Sequence, residues 1–167
     1  MRPIELNVEI HINIEEAARP EDLSAIEQQV IASALKAAGK AYAPYSKFQV
    51  GAALLLDNGE LITGNNQENA SSPDGLCAER VALFAANSRH PESGIEMLAV
   101  AAMINDDFLE EPVYPCGSCR QALLESEYRF DKPVRILMYG KNRIHIASSI
   151  KDLLPLSFDS SFLSLRD

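Results

Sequence analysis

The sequence predicts an α/β protein, a three-layer α/β/α sandwich on a mixed sheet, and three observations lead to this class. Apolar stretches of strand length alternate along the chain with stretches whose apolar residues repeat at helical spacing. One strand-like stretch, 95–104, is almost continuously apolar, as expected of a central strand covered on both faces. Two later ones are joined only by Gly140-Lys141-Asn142, which is too short for a crossover, so this pair runs antiparallel.

The first segment of the chain alternates between apolar and polar residues. Every second position from Leu6 to Ile14 is apolar, and the positions between them are polar. This period of two predicts an extra strand with one buried face, so we assign 1–19 to an N-terminal strand extension and 20–167 to the main domain. Two interpretations of the strand stay open: it covers local surface at a sheet edge, or it contributes to an interface between subunits.

The next stretch predicts one helix and one hairpin. Pro20 and the acids after it suit a first helical turn, and apolar residues then repeat at helical spacing as far as Gly39. Strands are predicted at Phe48–Leu56 and Leu61–Asn65, because the Asn58-Gly59 pair between them is a strong hairpin signal.

The second half of the chain alternates helices with strands. Helices are predicted from 78 to about 87 and from 117 to about 127, each directly preceded by a cysteine. Strands are predicted at 134–138 and 143–146, followed by a short helix at 150–154. The acidic stretch 105–113 is predicted to be a solvated loop.

Composition limits the functions open to this chain. Its 167 residues, 47% of them hydrophobic, suit one domain with a sizeable core. No apolar run approaches the ~20 residues of a membrane span, and no secretory leader is present, which predicts a cytoplasmic protein. The net charge of −9 disfavours DNA, RNA and nucleotides as ligands, because proteins that bind polynucleotides usually carry basic patches. An uncharged small molecule fits this surface better.

All three cysteines of the chain stand where the two later helices begin. Cys116 and Cys119 form a Cys-x-x-Cys pair that can reach one metal ion, and Cys77 would add a third thiolate. A structural zinc site is normally closed by four ligands, whereas a catalytic site keeps one position for water. Three cysteines therefore predict an open zinc site with Glu79 beside that water. The alternative, a structural zinc module, needs a fourth ligand, and no histidine stands in ligand spacing with a cysteine.

The same residues carry a resemblance to a known family. Cys-Ala-Glu-Arg at 77–80 and Pro-Cys-Gly-Ser-Cys-Arg-Gln at 115–121 resemble the zinc motifs of the cytidine deaminases in their three-cysteine form. Phe-Gln-Val-Gly-Ala at 48–52 and Asn-Gln-Glu-Asn-Ala at 66–70 extend the resemblance, which spans about 41–158. It implies a deaminase fold with five core strands, one Zn²⁺ per chain, and a homotetramer, with a dimer as the alternative.

The resemblance also implies a role for each residue of the two zinc motifs. Glu79 is expected to be the catalytic proton shuttle, and the zinc ligands are Cys77, Cys116 and Cys119. Arg80 is expected to hydrogen-bond to a ligand sulfur and so offset the negative charge of three thiolates. From its position alone, Arg80 could equally be a surface residue of the helix.

Six further residues are expected to bind the substrate: two at the ribose, two through aromatic rings and two through the backbone. They are Asn66 and Glu68 at the ribose hydroxyls, Phe48 against the base, Phe158 at a neighbouring subunit's site, and the backbones of Ala78 and Tyr114 at the base. From residue pattern alone, Phe48 is as well explained as a core residue, and Asn66 and Glu68 as solvated turn residues.

The implied reaction is zinc-dependent hydrolytic deamination of cytidine and deoxycytidine, a step of pyrimidine salvage. The alternative is a deaminase of another cytosine nucleoside or nucleoside antibiotic, which the Asn-x-Glu-Asn sequence at 66–69 disfavours. Ser72 and Tyr114 depart from the family pattern near the expected substrate, so they leave the exact nucleoside preference open.

Overall fold

A computed structural model describes residues 6–163 of the chain. Within this range the chain forms seven strands: β1 (Glu15–Ala17), β2 (Phe48–Leu56), β3 (Leu61–Asn65), β4 (Ile95–Ile104), β5 (Asp107–Phe108), β6 (Arg135–Tyr139) and β7 (Ile144–Ala147). It also forms three α-helices: α1 (Ala25–Ala38), α2 (Ala78–Arg89) and α3 (Gly117–Phe130). In the described part of the chain, none of the helices combines the length and the apolar character needed to cross a bilayer.

The strands form one mixed sheet in the order β1-β7-β6-β4-β2-β3, with β5 paired to β4 beside this path. The β4–β6 pair is parallel and the other pairs are antiparallel. The predicted α/β/α class with an extra N-terminal strand is confirmed. The sheet is larger than the five-stranded core that we expected, because β1 and β5 are added to the five predicted strands.

The sheet is covered on both faces by apolar side chains that alternate along β2. Leu54 and Leu56 belong to the core between the sheet and the pair α2 and α3, whereas Ala53 and Leu55 belong to the core under α1. Burial of each such leucine contributes about 1.5–3 kcal/mol relative to exposure. The two cores fix α1 on one face and the two helices that begin at cysteines on the other.

The N-terminal strand is shorter and later than the alternating stretch predicted. β1 pairs with β7 over three residues, and residues 6–14 form no strand. Apolar side chains in this stretch are exposed, from 85% for Leu6 to 37% for Ile14, so the prediction of a buried face is wrong. Because β7 is only four residues long and β1 already pairs with three of them, this sheet edge has at most one residue, Ala147, left to pair with the earlier part of the chain. Their contribution to a subunit interface stays a prediction.

Two other boundaries differ from the predictions. The helix predicted from Pro20 begins only at Ala25, because Pro20–Asp22 forms a separate 3₁₀ turn and Ser24 then caps α1. The Glu27 carboxylate accepts the Ser24 amide at 2.9 Å, which completes a capping box at this point of the chain. The acidic stretch predicted as a solvated loop contains β5, which continues the sheet beyond a tight turn from β4.

Close contact between β3 and α2 fixes where the first cysteine helix lies. A Cβ atom on Gly64 would stand 2.4 Å from the carbonyl oxygen of Ala78 and 2.5 Å from the amide nitrogen of Ala82. Only glycine allows this approach of two backbones. The first turn of α2, which follows Cys77, is therefore held directly against the sheet.

Candidate active site

The three cysteine sulfurs meet at the adjoining N-termini of α2 and α3. The Sγ atom of Cys116 lies 3.7 Å from that of Cys77 and 3.5 Å from that of Cys119, and all three lie within 4.8 Å of one another. Ligands at about 2.3 Å in a tetrahedral zinc site stand roughly 3.8 Å apart. The donor set and its spacing therefore fit a zinc ion with three thiolate ligands, and among residues 6–163 the group contains no fourth ligand, so a coordination position would remain for water.

The position of the sulfurs at helix N-termini favours their ionised form. Cys77 is the N-cap residue of α2 and Cys116 is that of α3, where free N–H groups and the helix dipole stabilise negative charge. Hydrogen bonding from Cys119, with smaller contributions from Arg80 and Cys116, lowers the pKa of Cys77 to about 5. The pKa of Cys119 is raised, because its thiol proton is held by Cys77 and its sulfur is buried. Because the pKa of Cys77 is lowered and that of Cys119 is raised, Cys77 ionises before Cys119. A divalent cation would displace the remaining thiol protons.

Arg80 lies beside one of the clustered cysteine sulfurs, as the sequence analysis predicted. Its Nη2 atom is 3.8 Å from the Sγ of Cys77, and its pKa is raised chiefly by that hydrogen bond. Arg120, the other cation of these motifs, donates instead to the carbonyl oxygens of Pro115 and Leu153. Of the two arginines, Arg80 is thus the one that approaches a sulfur of the cluster, and its predicted role of offsetting the charge of the thiolates stays a prediction.

Glu79 is one of three buried glutamates among residues 6–163, and its surroundings differ from those of the other two. Glu27 accepts hydrogen bonds from Ser24 and Arg135, which outweigh burial and lower its pKa. Glu127 accepts the amides of Val134 and Ile150, so it ties α3 to the following chain. Glu79 is only 4% exposed, it lines a cavity, and burial raises its pKa. A carboxyl group with a raised pKa holds a proton more readily than an exposed one does, which suits a group that must both take up and release a proton.

A cavity of about 780 Å³ opens beside the sulfurs and Glu79. It is large enough for a nucleoside-sized molecule. Seven other residues that the sequence singled out line it together with Glu79, namely Cys77, Cys116, Phe48, Asn66, Glu68, Ala78 and Tyr114. Ser72, one of the departures from the family pattern, lines it too. The structure therefore gathers in one place residues that are up to 68 positions apart in the chain.

Asn66 and Glu68 are held at the cavity wall by the backbone around β2. The Asn66 side chain accepts the amide of Val50 at 2.7 Å and donates to the carbonyl of Phe48 at 2.9 Å. The Glu68 Oε2 atom accepts the amides of Tyr45 and Ser46, at 2.8 and 3.3 Å. A hydrogen bond from Ser46 is the main reason that the pKa of Glu68 is lowered, so this carboxylate stays ionised. Each side chain keeps part of its hydrogen-bonding capacity beyond these bonds.

Tyr45 and Ser46 are cavity residues that the sequence analysis missed. They precede β2 and reach Glu68, which lies more than twenty positions later in the chain. The Pro44-Tyr45-Ser46 sequence indicates a turn, but nothing in it shows which later segment that turn contacts. A local pattern cannot supply a contact of this separation.

Phe158 does not line the cavity of its own chain. Its ring is 57% exposed and stacks on Phe162 with centroids 5.7 Å apart, and its carbonyl oxygen accepts the Gln121 amide. A role at its own site is not supported by this position, whereas the predicted role at a neighbouring subunit's site stays a prediction.

Comparison with known proteins agrees with the site geometry. A family model for the cytidine and deoxycytidylate deaminase zinc-binding region matches residues 24–132, a range that holds Glu79 and all three cysteines. A cytidine deaminase of Halalkalibacterium halodurans is 47% identical over 98 residues, which cover 59% of this chain and 70% of that protein. One of Mycobacterium tuberculosis is 42% identical over 129 residues, covering 75% of this chain and 84% of the relative.

Solved structures show the same similarity in three dimensions. The crystal structure of a cytidine deaminase from Burkholderia pseudomallei superposes with a TM-score of 0.69 at 35% sequence identity. The superposition covers 81% of this chain and 100% of that one.

Proposed function

The chain belongs to the cytidine and deoxycytidylate deaminase family, and from this we propose that it hydrolyses cytidine and deoxycytidine to uridine and deoxyuridine with release of ammonia. One observation carries the proposal: a buried glutamate with a raised pKa lines one cavity together with Cys77 and Cys116, whose sulfurs cluster with that of the buried Cys119. These groups can hold a metal ion that activates a water molecule, and they include a carboxyl group that can move its proton.

The protein side of the site would divide the chemistry between ligands and a proton carrier. Cys77, Cys116 and Cys119 would hold Zn²⁺, which supplies Lewis acidity that makes water a nucleophile at neutral pH. The Glu79 carboxylate would accept a proton from the attacking water and deliver it to N3 of the pyrimidine. The carboxylate would then take the second proton from the hydroxyl group now bound to C4 and pass it to the amine, so that the C4–N bond breaks, ammonia leaves and the C4 carbonyl forms. Burial of Glu79 supports this double role, because it brings the pKa closer to neutral.

The cavity wall would recognise the nucleoside on both sides of its glycosidic bond. The free capacity of Asn66 and Glu68 would bind the 3′-hydroxyl of the sugar, since together they offer a donor and an acceptor. Phe48, which is half-buried and lines the cavity, would pack against the base. The backbones of Ala78 and Tyr114 would contact the polar edge of the base.

The cellular setting follows from the same proposal. We place the protein in the cytoplasm, in pyrimidine salvage, as a homotetramer in which Phe158 closes the site of a neighbouring subunit, with no nucleic-acid or membrane partner. The division into an extension at 1–19 and a deaminase domain at 20–167 belongs to this proposal as well. Exposure of Phe158 on the isolated chain supports its use at a subunit contact.

A comparison of four substrates tests the proposed function. Cytidine and deoxycytidine should give similar kcat/KM values, because the 2′-hydroxyl adds little to the proposed sugar contact. Free cytosine should be far poorer, since it would leave polar groups unpaired at about 1–3 kcal/mol each. CMP should also be poor against a protein of net charge −9. Efficient turnover of CMP or cytosine would contradict the nucleoside assignment, and preference for a modified cytosine nucleoside would favour the alternative substrate class.

Arg80→Gln should make zinc easier to displace by acid. The Arg80 guanidinium helps to lower the pKa of Cys77, so its removal raises that pKa and lets protons compete for the sulfur at higher pH. We expect the pH of half-release to rise by roughly half a unit to one unit. Zinc released during acidification can be followed with a colorimetric chelator.

The matched control is Arg89→Gln, which removes the same charge from the exposed end of the same helix. This variant should release zinc at the wild-type pH, and Arg80→Lys should fall between the two. A wild-type release curve for Arg80→Gln would assign Arg80 to the helix surface.

A further inference from the structure

A chain of three hydrogen-bonded side chains runs from the cavity wall to the N-terminal strand. The Tyr114 hydroxyl lies 2.5 Å from the Nδ1 atom of His145, and their rings contact with centroids 5.9 Å apart. The Nε2 atom of the same imidazole lies 3.1 Å from Oε2 of Glu16. These contacts connect the predicted site to β1, a part of the protein with no assigned function.

The contacts of His145 define which atom carries the proton in its neutral form. An ionised carboxylate only accepts, so Nε2–H donates to Glu16. The Nδ1 atom then has a free lone pair and accepts the hydroxyl proton of Tyr114. The Glu16 carboxylate therefore sets the direction in which all of these hydrogen bonds donate. Arg143 also approaches this carboxylate, at 3.5 Å.

The pairing of β1 with β7 places two of these three side chains next to each other. Glu16 and His145 are directly opposed partners in the antiparallel β1–β7 pair, so the register of β1 places the carboxylate on the imidazole. Glu15, the preceding residue, pairs instead with Arg135 at 3.0 Å. A shift of β1 by one residue would exchange these two side chains between the faces of the sheet.

At the cavity end of these three side chains, Tyr114 lies in a segment without regular secondary structure. Residues 112–116, which lead to Cys116, lie outside helices and strands, so no ladder of backbone hydrogen bonds fixes them. The phenol of Tyr114 ties this segment to β7. Tyr114 lines the cavity, and its backbone is the part expected to contact the base.

We propose that Glu16, His145 and Tyr114 form a positioning chain through which the N-terminal strand sets the cavity wall beside the metal cluster. Its effect is on the binding of the nucleoside base, and this inference rests on the proposed function. Glu16 and His145 act through Tyr114 and do not touch substrate, so they are positioning residues. Because the base contact is made equally in the ground state and in the transition state, loosening it raises KM and leaves kcat nearly unchanged.

Steady-state kinetics with cytidine test the chain. Glu16→Ala, His145→Phe and Tyr114→Phe should each raise KM roughly threefold to tenfold, the size of one hydrogen bond, with kcat within about twofold of wild type. Glu16→Gln keeps an acceptor for Nε2–H and should restore most of the wild-type KM. The double variant of Glu16→Ala with Tyr114→Phe should be no worse than Tyr114→Phe alone, because both changes break one chain.

Glu15→Ala is the matched control, since it removes the neighbouring carboxylate of the same strand without touching His145. It should lower the melting temperature at least as much as Glu16→Ala does and leave KM unchanged. Equal KM values for the two variants, or additive effects in the double variant, would overturn the positioning role while leaving the proposed function intact. An inactive wild-type protein would contradict the proposed function instead.

A second measurement is independent of turnover. The ¹⁵N shifts of the His145 imidazole should show the Nε2–H tautomer in the wild-type protein, and the Nδ1 shift should move in Tyr114→Phe and the Nε2 shift in Glu16→Ala, because each variant removes the hydrogen bond at that nitrogen. An Nδ1–H tautomer in the wild-type protein, or unchanged shifts in both variants, would contradict these hydrogen bonds even if cytidine is not a substrate.

Discussion

Glu79→Gln is expected to lose nearly all deaminase activity while the protein keeps its fold and its zinc. The amide has the shape of the carboxyl group but cannot accept the proton of the attacking water or return one to the leaving amine. General acid–base groups contribute about 10²–10⁴-fold, and Glu79 would act in more than one step of the reaction. The test is kcat for cytidine together with the zinc content of the variant.

The buried Glu127 provides the control for this variant. Glu127 is 5% exposed, close to the 4% of Glu79, but its carboxylate accepts the amides of Val134 and Ile150. Glu127→Gln should therefore lower the melting temperature and leave kcat within a few-fold of wild type. Glu79→Gln with near wild-type kcat would show that another group moves the proton.

Cys119→Ser should abolish stoichiometric zinc binding, and activity should be lost with it. Cys119 is fully buried and its sulfur lies in the cluster, so this change removes one of the three proposed ligands and leaves a poorer donor in its place. A ligand that binds only the folded state raises stability by about 1.4 kcal/mol for each tenfold excess over its Kd. The wild-type melting temperature should thus fall when a strong chelator is added, whereas that of Cys119→Ser should not change.

Ser126→Ala is the control for a small substitution at a buried position of the same helix. The Ser126 hydroxyl is buried and has no hydrogen-bond partner within residues 6–163, so its loss should cost little stability. This variant should keep one zinc per chain and the same sensitivity to chelator as wild type. A chelator-sensitive melting temperature in Cys119→Ser would mean that the metal is held elsewhere.

The parts of the fold that local signals determine were predicted well. β2 and β3 have the predicted bounds, because an Asn-Gly turn separates two apolar stretches and Gly59 adopts the positive φ of 85° that such a turn needs. The central strand was recognised because burial on both faces requires a continuous apolar stretch. The three cysteines converge as predicted, since both cysteine motifs stand where a helix begins.

The errors lie where the outcome depends on a distant partner. An alternating pattern at 6–14 describes what a strand would bury, but the short edge of β7 decides how many residues can pair. The start of α1 is an error of another kind, because the capping box of Ser24 and Glu27 is a local signal that decides against a start at Pro20. The link from Tyr114 through His145 to Glu16 depends on the register of β1 against β7, two strands that are far apart in the chain.

The meeting of Cys77 and Cys116 has a consequence for the topology of the chain. These residues are 39 positions apart, and the segment between them contains α2 and the whole of the central strand β4. A cross-link that closes a loop of this length removes roughly 4 kcal/mol of conformational entropy from an unfolded chain that retains it. In the folded protein the sheet holds the ends of this segment together, whereas an unfolded chain without the metal regains the freedom of the whole segment. Metal loss would therefore favour unfolding as well as remove a catalyst.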